Sequence, residues 1–96
     1  MLPIVWSRSA LDDLKRISHY IAQRNEQAAD MLQARIKRSI DPAALHPYIF
    51  REGRVPGTRE VVAHPNYIVV YRVLIDRIRV IAVLHSRQQY PPDEAP

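Results

Sequence analysis

Apolar residues recur at three- and four-residue steps as far as Ile40 and at two-residue steps from Thr58 onward, and this one change of period limits the fold more than any other feature. Leu11, Leu14, Ile17 and Ile21 mark one face of a first helix. Ser9 and Asp12 have the S-x-x-D spacing of a cap, so that helix is expected to start there and run to about Arg24. Asn25 supplies a second cap, with Glu26 favourably placed in the first turn, and Ala29, Leu32, Ile36 and Ile40 form the second stripe. Pro42 lacks a backbone donor and ends or kinks this helix, while Asp41 can cap one further short turn through Leu45. So short a break between the helices forces an antiparallel hairpin.

Pro47 to Gly57 has no period and holds Arg51 and Arg54, which reads as a basic loop. Beyond it, TREVVAH, YIVVYRVLI and IRVIAVLHS are rich in β-branched and aromatic residues, as strands are. Pro65-Asn66 and Asp76-Arg77 are turns too short for anything but antiparallel neighbours. With Leu2 to Trp6 as an N-terminal strand, the expected fold is α+β: an antiparallel two-helix hairpin packed on a three- to four-stranded, mainly antiparallel sheet. Residues 1–90 form a single domain and 91–96 an acidic, disordered tail with no apolar anchor. A 96-residue chain without cysteine has a thin core and no disulfide to help it, which argues against a deep, closed active site. The missing cysteines and the absence of a long apolar run fit a cytoplasmic protein with no membrane anchor.

A hairpin covers one face of a sheet, and the other face is expected to be partly open. Alternation places Val80, Ala82 and Leu84 on one face of the last strand and Arg79, Ile81, Val83, His85 and Arg87 on the other. On the preceding strand Arg72 lies with Ile68, Val70 and Leu74, opposite Tyr67, Val69, Tyr71 and Val73; Arg59 opens the strand before that. The uncovered face is therefore expected to be apolar in its middle and rimmed by arginine, as a binding surface would be. Residues 49–90 carry seven cations against three acids, and all but two of the 14 basic residues are arginine, whose planar fork suits carboxylate and phosphate.

Chemistry leaves weaker traces. His19, His46, His64 and His85 form no metal-binding pair with a carboxylate, and without cysteine the common zinc patterns are excluded, so no metal or cofactor is expected. Gly53 to Gly57 lacks the lysine and following helix of a phosphate loop. His64, before Pro65, reads as a turn residue. His85, near Arg87 and Tyr90, permits two readings: a basic rim that holds a partner, or a metal-free ribonuclease site in which imidazole or phenol moves protons and arginine stabilises the phosphorane. A nucleic-acid-binding module held by the basic face is a third possibility.

Several blocks resemble one family. ALDDL at 10–14, ISHYI at 17–21, Ala28-Ala29 and His46-Pro47, with RVPGTREVV at 54–62, HPNYIVVYRV at 64–73 and VLHSRQQ at 83–89, are similar to the RelE/ParE superfamily of type II toxins, in particular the ParE branch that includes PaaA-ParE type toxins. The resemblance spans about residues 2–90 and implies a cognate antitoxin: short, acidic, partly disordered, with a DNA-binding N-terminus through which alone operator DNA is reached, so that the toxin works within a hetero-oligomer. On this reading Arg59, Arg72, Arg79 and Arg87 are ion-pair partners of the antitoxin, with Ile81 and Val83 as apolar contacts. ParE-like members poison DNA gyrase without catalysing a reaction, whereas RelE-like members cut ribosome-bound mRNA. For the second activity the resemblance points to Arg59, His85, Arg87 and Tyr90. The lysine cluster of RelE loops is missing, because Lys15 and Lys37 both lie on helices, and the gyrase alternative is the one expected.

Overall fold

The computed structural model describes residues 1–92, so all but the first two residues of the acidic tail expected at 91–96 lie outside it. Its order is β1 (Ile4–Trp6), α1 (Arg8–Ala22), α2 (Glu26–Ser39), a 3-10 turn (Asp41–Ala44), β2 (Arg51–Glu52), β3 (Arg59–His64), β4 (Tyr67–Val73) and β5 (Ile78–His85). The strands form one sheet in the order β1-β5-β4-β3-β2, with β1 parallel to β5 and every other pair antiparallel. The α+β architecture is as expected. Five strands exceed the three or four anticipated because β2 is only two residues long, inside a segment without period.

The first helix starts earlier than its apparent cap. Ser7 is the N-cap, its Oγ accepting from the Ala10 N–H at 3.1 Å. Ser7 N–H also donates to Val80 O at 2.9 Å, closing the β1–β5 pairing, so the helix begins where the strand stops. Ser9 Oγ instead donates to Ile81 O at 3.2 Å. The stripe facing the sheet is Ala10 and Leu14, with Ile17 half-buried, and Leu11 lies exposed at its edge. Asn25 caps α2 as expected, accepting from Ala28 N–H at 3.0 Å, and Ala29, Ile36 and Ile40 are buried.

The helices cover a core of Val61, Ala63, Val69, Tyr71, Ile78, Val80 and Val83 on the sheet. β5 changes face within its length. Val70 stands opposite Ala82, but Tyr71 stands opposite Val80, so Ile81 is an extra residue that bulges the strand. The faces read by simple alternation are corrected accordingly: Val80 lies on the helix side, whereas Ala82 and Leu84 lie on the far side with Ile68 and Val70. This far side is not an open groove. Ile68, Val70, Ala82 and Leu84 are all buried, and Ile81 and Tyr90 pack against them.

Tyr71 is fully buried; its ring meets Phe50 edge-on at 6.3 Å, and its hydroxyl donates to Pro47 O at 2.6 Å. Burial raises its pKa above the usual 10.0, partly offset by the Arg59 guanidinium and the Phe50 backbone. Two expectations follow for urea unfolding. Leu14→Ala should lose about 2–5 kcal/mol, because a fully buried leucine leaves a cavity between α1 and the sheet. Tyr71→Phe should lose about 1 kcal/mol at neutral pH. Above about pH 10 the unfolded phenol ionises while the buried one stays protonated, so wild-type stability falls there and the deficit of Tyr71→Phe should narrow; a constant deficit to pH 11 would contradict the raised pKa.

Candidate partner-binding surfaces

Charge on this molecule is divided by how the strands pair. Glu60 on β3 points away from the helices and is buried. Its Oε1 accepts from Arg51 at 3.1 Å, and its Oε2 accepts from the Arg54 N–H at 3.0 Å, with Arg54 Nε 3.6 Å away. Two cations of the basic loop are thus tied to one carboxylate. Val55 to Thr58 makes a tight turn closed by Thr58 N–H to Val55 O at 3.1 Å, with Pro56 and Gly57 at its centre. Gly57 has φ +81°, a left-handed conformation that favours glycine, and a Cβ there would also come within 2.9 Å of the flexible Arg72 guanidinium. RVPGTRE is therefore a self-bonded clamp, whose carboxylate the sequence reading passed over.

Arg72 and Arg79 stand directly opposite each other on β4 and β5. Both lie on the sheet face away from the helices, with Val5 as the next register neighbour, and neither makes an ion pair among the described residues. Two cations side by side without a carboxylate repel each other, which makes this a place that an anionic group would stabilise. Ile81 adjoins them at the bulge. Val83, expected to share that face, is buried in the helix-side core instead, and its N–H donates to Asp13 Oδ2 at 3.0 Å.

Arg59 is on the helix side. One guanidinium nitrogen donates to Phe50 O at 2.8 Å and Tyr48 O at 3.3 Å, and its plane lies 4.8 Å from the centre of the Tyr48 ring. It braces the loop before β2. Leu45, Tyr48 and Ile49 in that loop are large and exposed, a feature missed in the sequence although HPYIF is an apolar run between turn residues.

At the opposite end of the strands, Tyr67 lies between two histidines, with ring centres 5.8 Å from His64 and 5.6 Å from His85. His64 Nδ1 accepts from Asn66 N–H at 3.0 Å and His85 Nδ1 accepts from Arg87 N–H at 3.1 Å. Each ring therefore has its proton assigned to Nε2. A groove of ≈ 600 Å³ lies beside Tyr67 and His85, lined also by Arg16, Ile17, Tyr20 and Val83.

The four residues considered for ribonuclease chemistry do not converge. Arg59 is opposite Tyr71 whereas His85 is opposite Tyr67. They are hence about 13 Å apart along the strands and two strand spacings, about 9.5 Å, across them. Tyr90 packs on the far face, and Arg87 is exposed beyond the end of β5. Among the described residues no cluster of three or more metal-ligating side chains occurs, and no helix is long and apolar enough to cross a membrane.

Residues 4–90 match the family described as ParE toxin of the type II toxin-antitoxin system parDE. The chain is 38% identical over 89 residues to toxin Y4kP of Sinorhizobium fredii, covering 92% of each chain. It is 32% identical over 88 residues to toxin RelE2 of Caulobacter vibrioides, covering 90% of this chain and 97% of that one. Its fold is similar to the chromosomal ParDE toxin-antitoxin system of P. aeruginosa, with a TM-score of 0.77 at 22% identity over 88% of this chain and 96% of the other. A paired-arginine sheet face, a clamped RVPG turn and a helical hairpin on a mixed sheet are thus carried by a chain that belongs to the ParE toxin family of the RelE/ParE superfamily, the toxins of type II toxin-antitoxin systems.

Proposed function

We propose that this toxin arrests bacterial growth as a non-catalytic inhibitor of DNA gyrase and is held in check by a short, acidic, partly disordered antitoxin. The observation that carries the reading is the dispersal of Arg59, His85, Arg87 and Tyr90 over two faces and two ends of the sheet. Metal-free RNA cleavage needs a proton acceptor, a proton donor and a cation within hydrogen-bond reach of one phosphate, whereas occupation of a larger enzyme needs only surface. Arg59, moreover, already has two carbonyl partners.

For the antitoxin, the support is Arg72 and Arg79, adjacent cations whose repulsion an acidic chain would relieve. Ile81 lies beside them, and Arg87 is a separate exposed cation beyond the other end of β5. Arg59 contributes by bracing the loop rather than by offering a free fork, and Val83 by holding β5 against α1. Operator DNA is reached through the antitoxin.

Purified gyrase, ATP and relaxed plasmid DNA should show loss of supercoiling and accumulation of linear DNA as this protein is added. Supercoiling unchanged at tenfold molar excess, together with cut transcripts in a translating extract, would transfer the toxin to the ribosome-dependent ribonucleases. Arg72→Glu with Arg79→Glu should weaken antitoxin binding tenfold or more by calorimetry and leave the unfolding midpoint near wild type, since neither side chain is in the core.

A further inference from the structure

The loop between the 3-10 turn and β2 combines two properties that rarely occur together: its side chains face solvent and its main chain is fixed from behind. Leu45, Tyr48 and Ile49 are 63%, 66% and 59% exposed. With His46 and Pro47 they line a shallow groove of ≈ 530 Å³, continuous through Leu45 with a second, of ≈ 340 Å³, against Leu2 and Ile4. Four carbonyls of this loop are engaged. His46 O accepts from Ile49 N–H at 3.0 Å, Pro47 O from the buried Tyr71 hydroxyl, and Tyr48 O and Phe50 O from Arg59. Phe50 turns inward on Tyr71 and anchors the end of the loop.

Core stability does not require Leu45, Tyr48 and Ile49 to be apolar, since they are mostly in water. A rigid apolar surface has a low ordering cost on binding, and a tyrosine flanked by aliphatic side chains is the composition of a contact that carries much of an interface's energy. Charge selects among occupants. Arg72 and Arg79, without an ion pair among the described residues, lie on the other face of the sheet, and Arg59, the cation nearest the loop, is already bound to carbonyls and the Tyr48 ring. An acidic chain is drawn elsewhere; what matches here is an uncharged, apolar patch on a folded protein.

We propose that Leu45, Tyr48 and Ile49, braced by Arg59 and Tyr71, are the contact by which this toxin grips its target protein, through an apolar patch on gyrase; the assignment rests on the gyrase reading above. Arg59 is a positioning residue here: it acts through Tyr48.

The test uses the full chain in the supercoiling assay, with sedimentation velocity and urea unfolding run in parallel. Leu45→Ser with Ile49→Ser, and separately Tyr48→Ala, should each raise the concentration for half-inhibition at least tenfold, with an unfolding midpoint close to wild type. Arg59→Gln should raise it less, and Lys15→Ala, on the exposed side of α1, should leave it unchanged. If wild type inhibits gyrase and the loop variants inhibit equally well, the inference is overturned and the gyrase reading stands. If wild type leaves gyrase untouched, both fall. If wild type sediments as a dimer that the loop variants dissociate without any change in inhibition, the patch is a self-interface and the inference is overturned.

Discussion

The extra residue at Ile81 governs how this protein is put together. β1 is only three residues long and pairs with β5 no further than Val80, so beyond that point one edge of β5 has no strand beside it. The first helix supplies the missing partners: Ser9 Oγ donates to Ile81 O, and Asp13 Oδ2 accepts from Val83 N–H. A buried edge left without such partners would lose about 1–3 kcal/mol for each orphaned group. The bulge also turns the strand, so that Ile78 and Val80 serve the helix-side core while Ala82 and Leu84 build a second apolar cluster behind the sheet. A single strand thereby belongs to both layers. The burial of Ala82 and Leu84 on the far face follows from that irregularity.

Much of the architecture was legible because it rests on local chemistry. Asn25 followed by Glu26 and the stripe Ala29, Ile36, Ile40 describe α2 completely, and the β-branched runs ending at Pro65-Asn66 and Asp76-Arg77 mark the meander. The errors have physical causes of one kind. Alternation assumes an unbroken pleat, and one extra residue inverts every assignment after it, which is why Val83 joins Val80 on the helix side while Ala82 and Leu84 lie on the far one. Ser9 satisfies a cap spacing as well as Ser7 does, and only the length of β1 decides between them. β2 is paired to β3 by Glu60, whose two arginines lie outside the strand periodicity. A compact run of basic residues also conceals which cations are free: Arg51 and Arg54 look like Arg72 and Arg79 in sequence, and differ only in what stands opposite them.

Paired and unpaired cations give the molecule two surfaces of different character. Behind the sheet, Arg72 and Arg79 lie at the margin of an apolar cluster that the chain already covers with Tyr90. On the helix side of the same end of the sheet, Leu45, Tyr48 and Ile49 present apolar area with its nearest cation bound from behind. Arg59 and Tyr71 together make this second surface part of the sheet rather than an independent loop. The sheet keeps these two surfaces apart.

Tyr90 has a consequence for how strongly any chain can be held on the arginine face. Because Ile68, Val70, Ala82 and Leu84 are already dry, a ligand landing on Arg72 and Arg79 removes little fresh hydrocarbon from water, and its attraction comes mainly through charge at a solvated rim. Such attraction fades over a Debye length of about 8 Å at physiological ionic strength and shrinks as salt is added. Contact through Leu45, Tyr48 and Ile49 has no such dependence. The two faces therefore differ in their response to the same solvent: rising ionic strength weakens attraction at the arginine face and leaves the loop face unaffected.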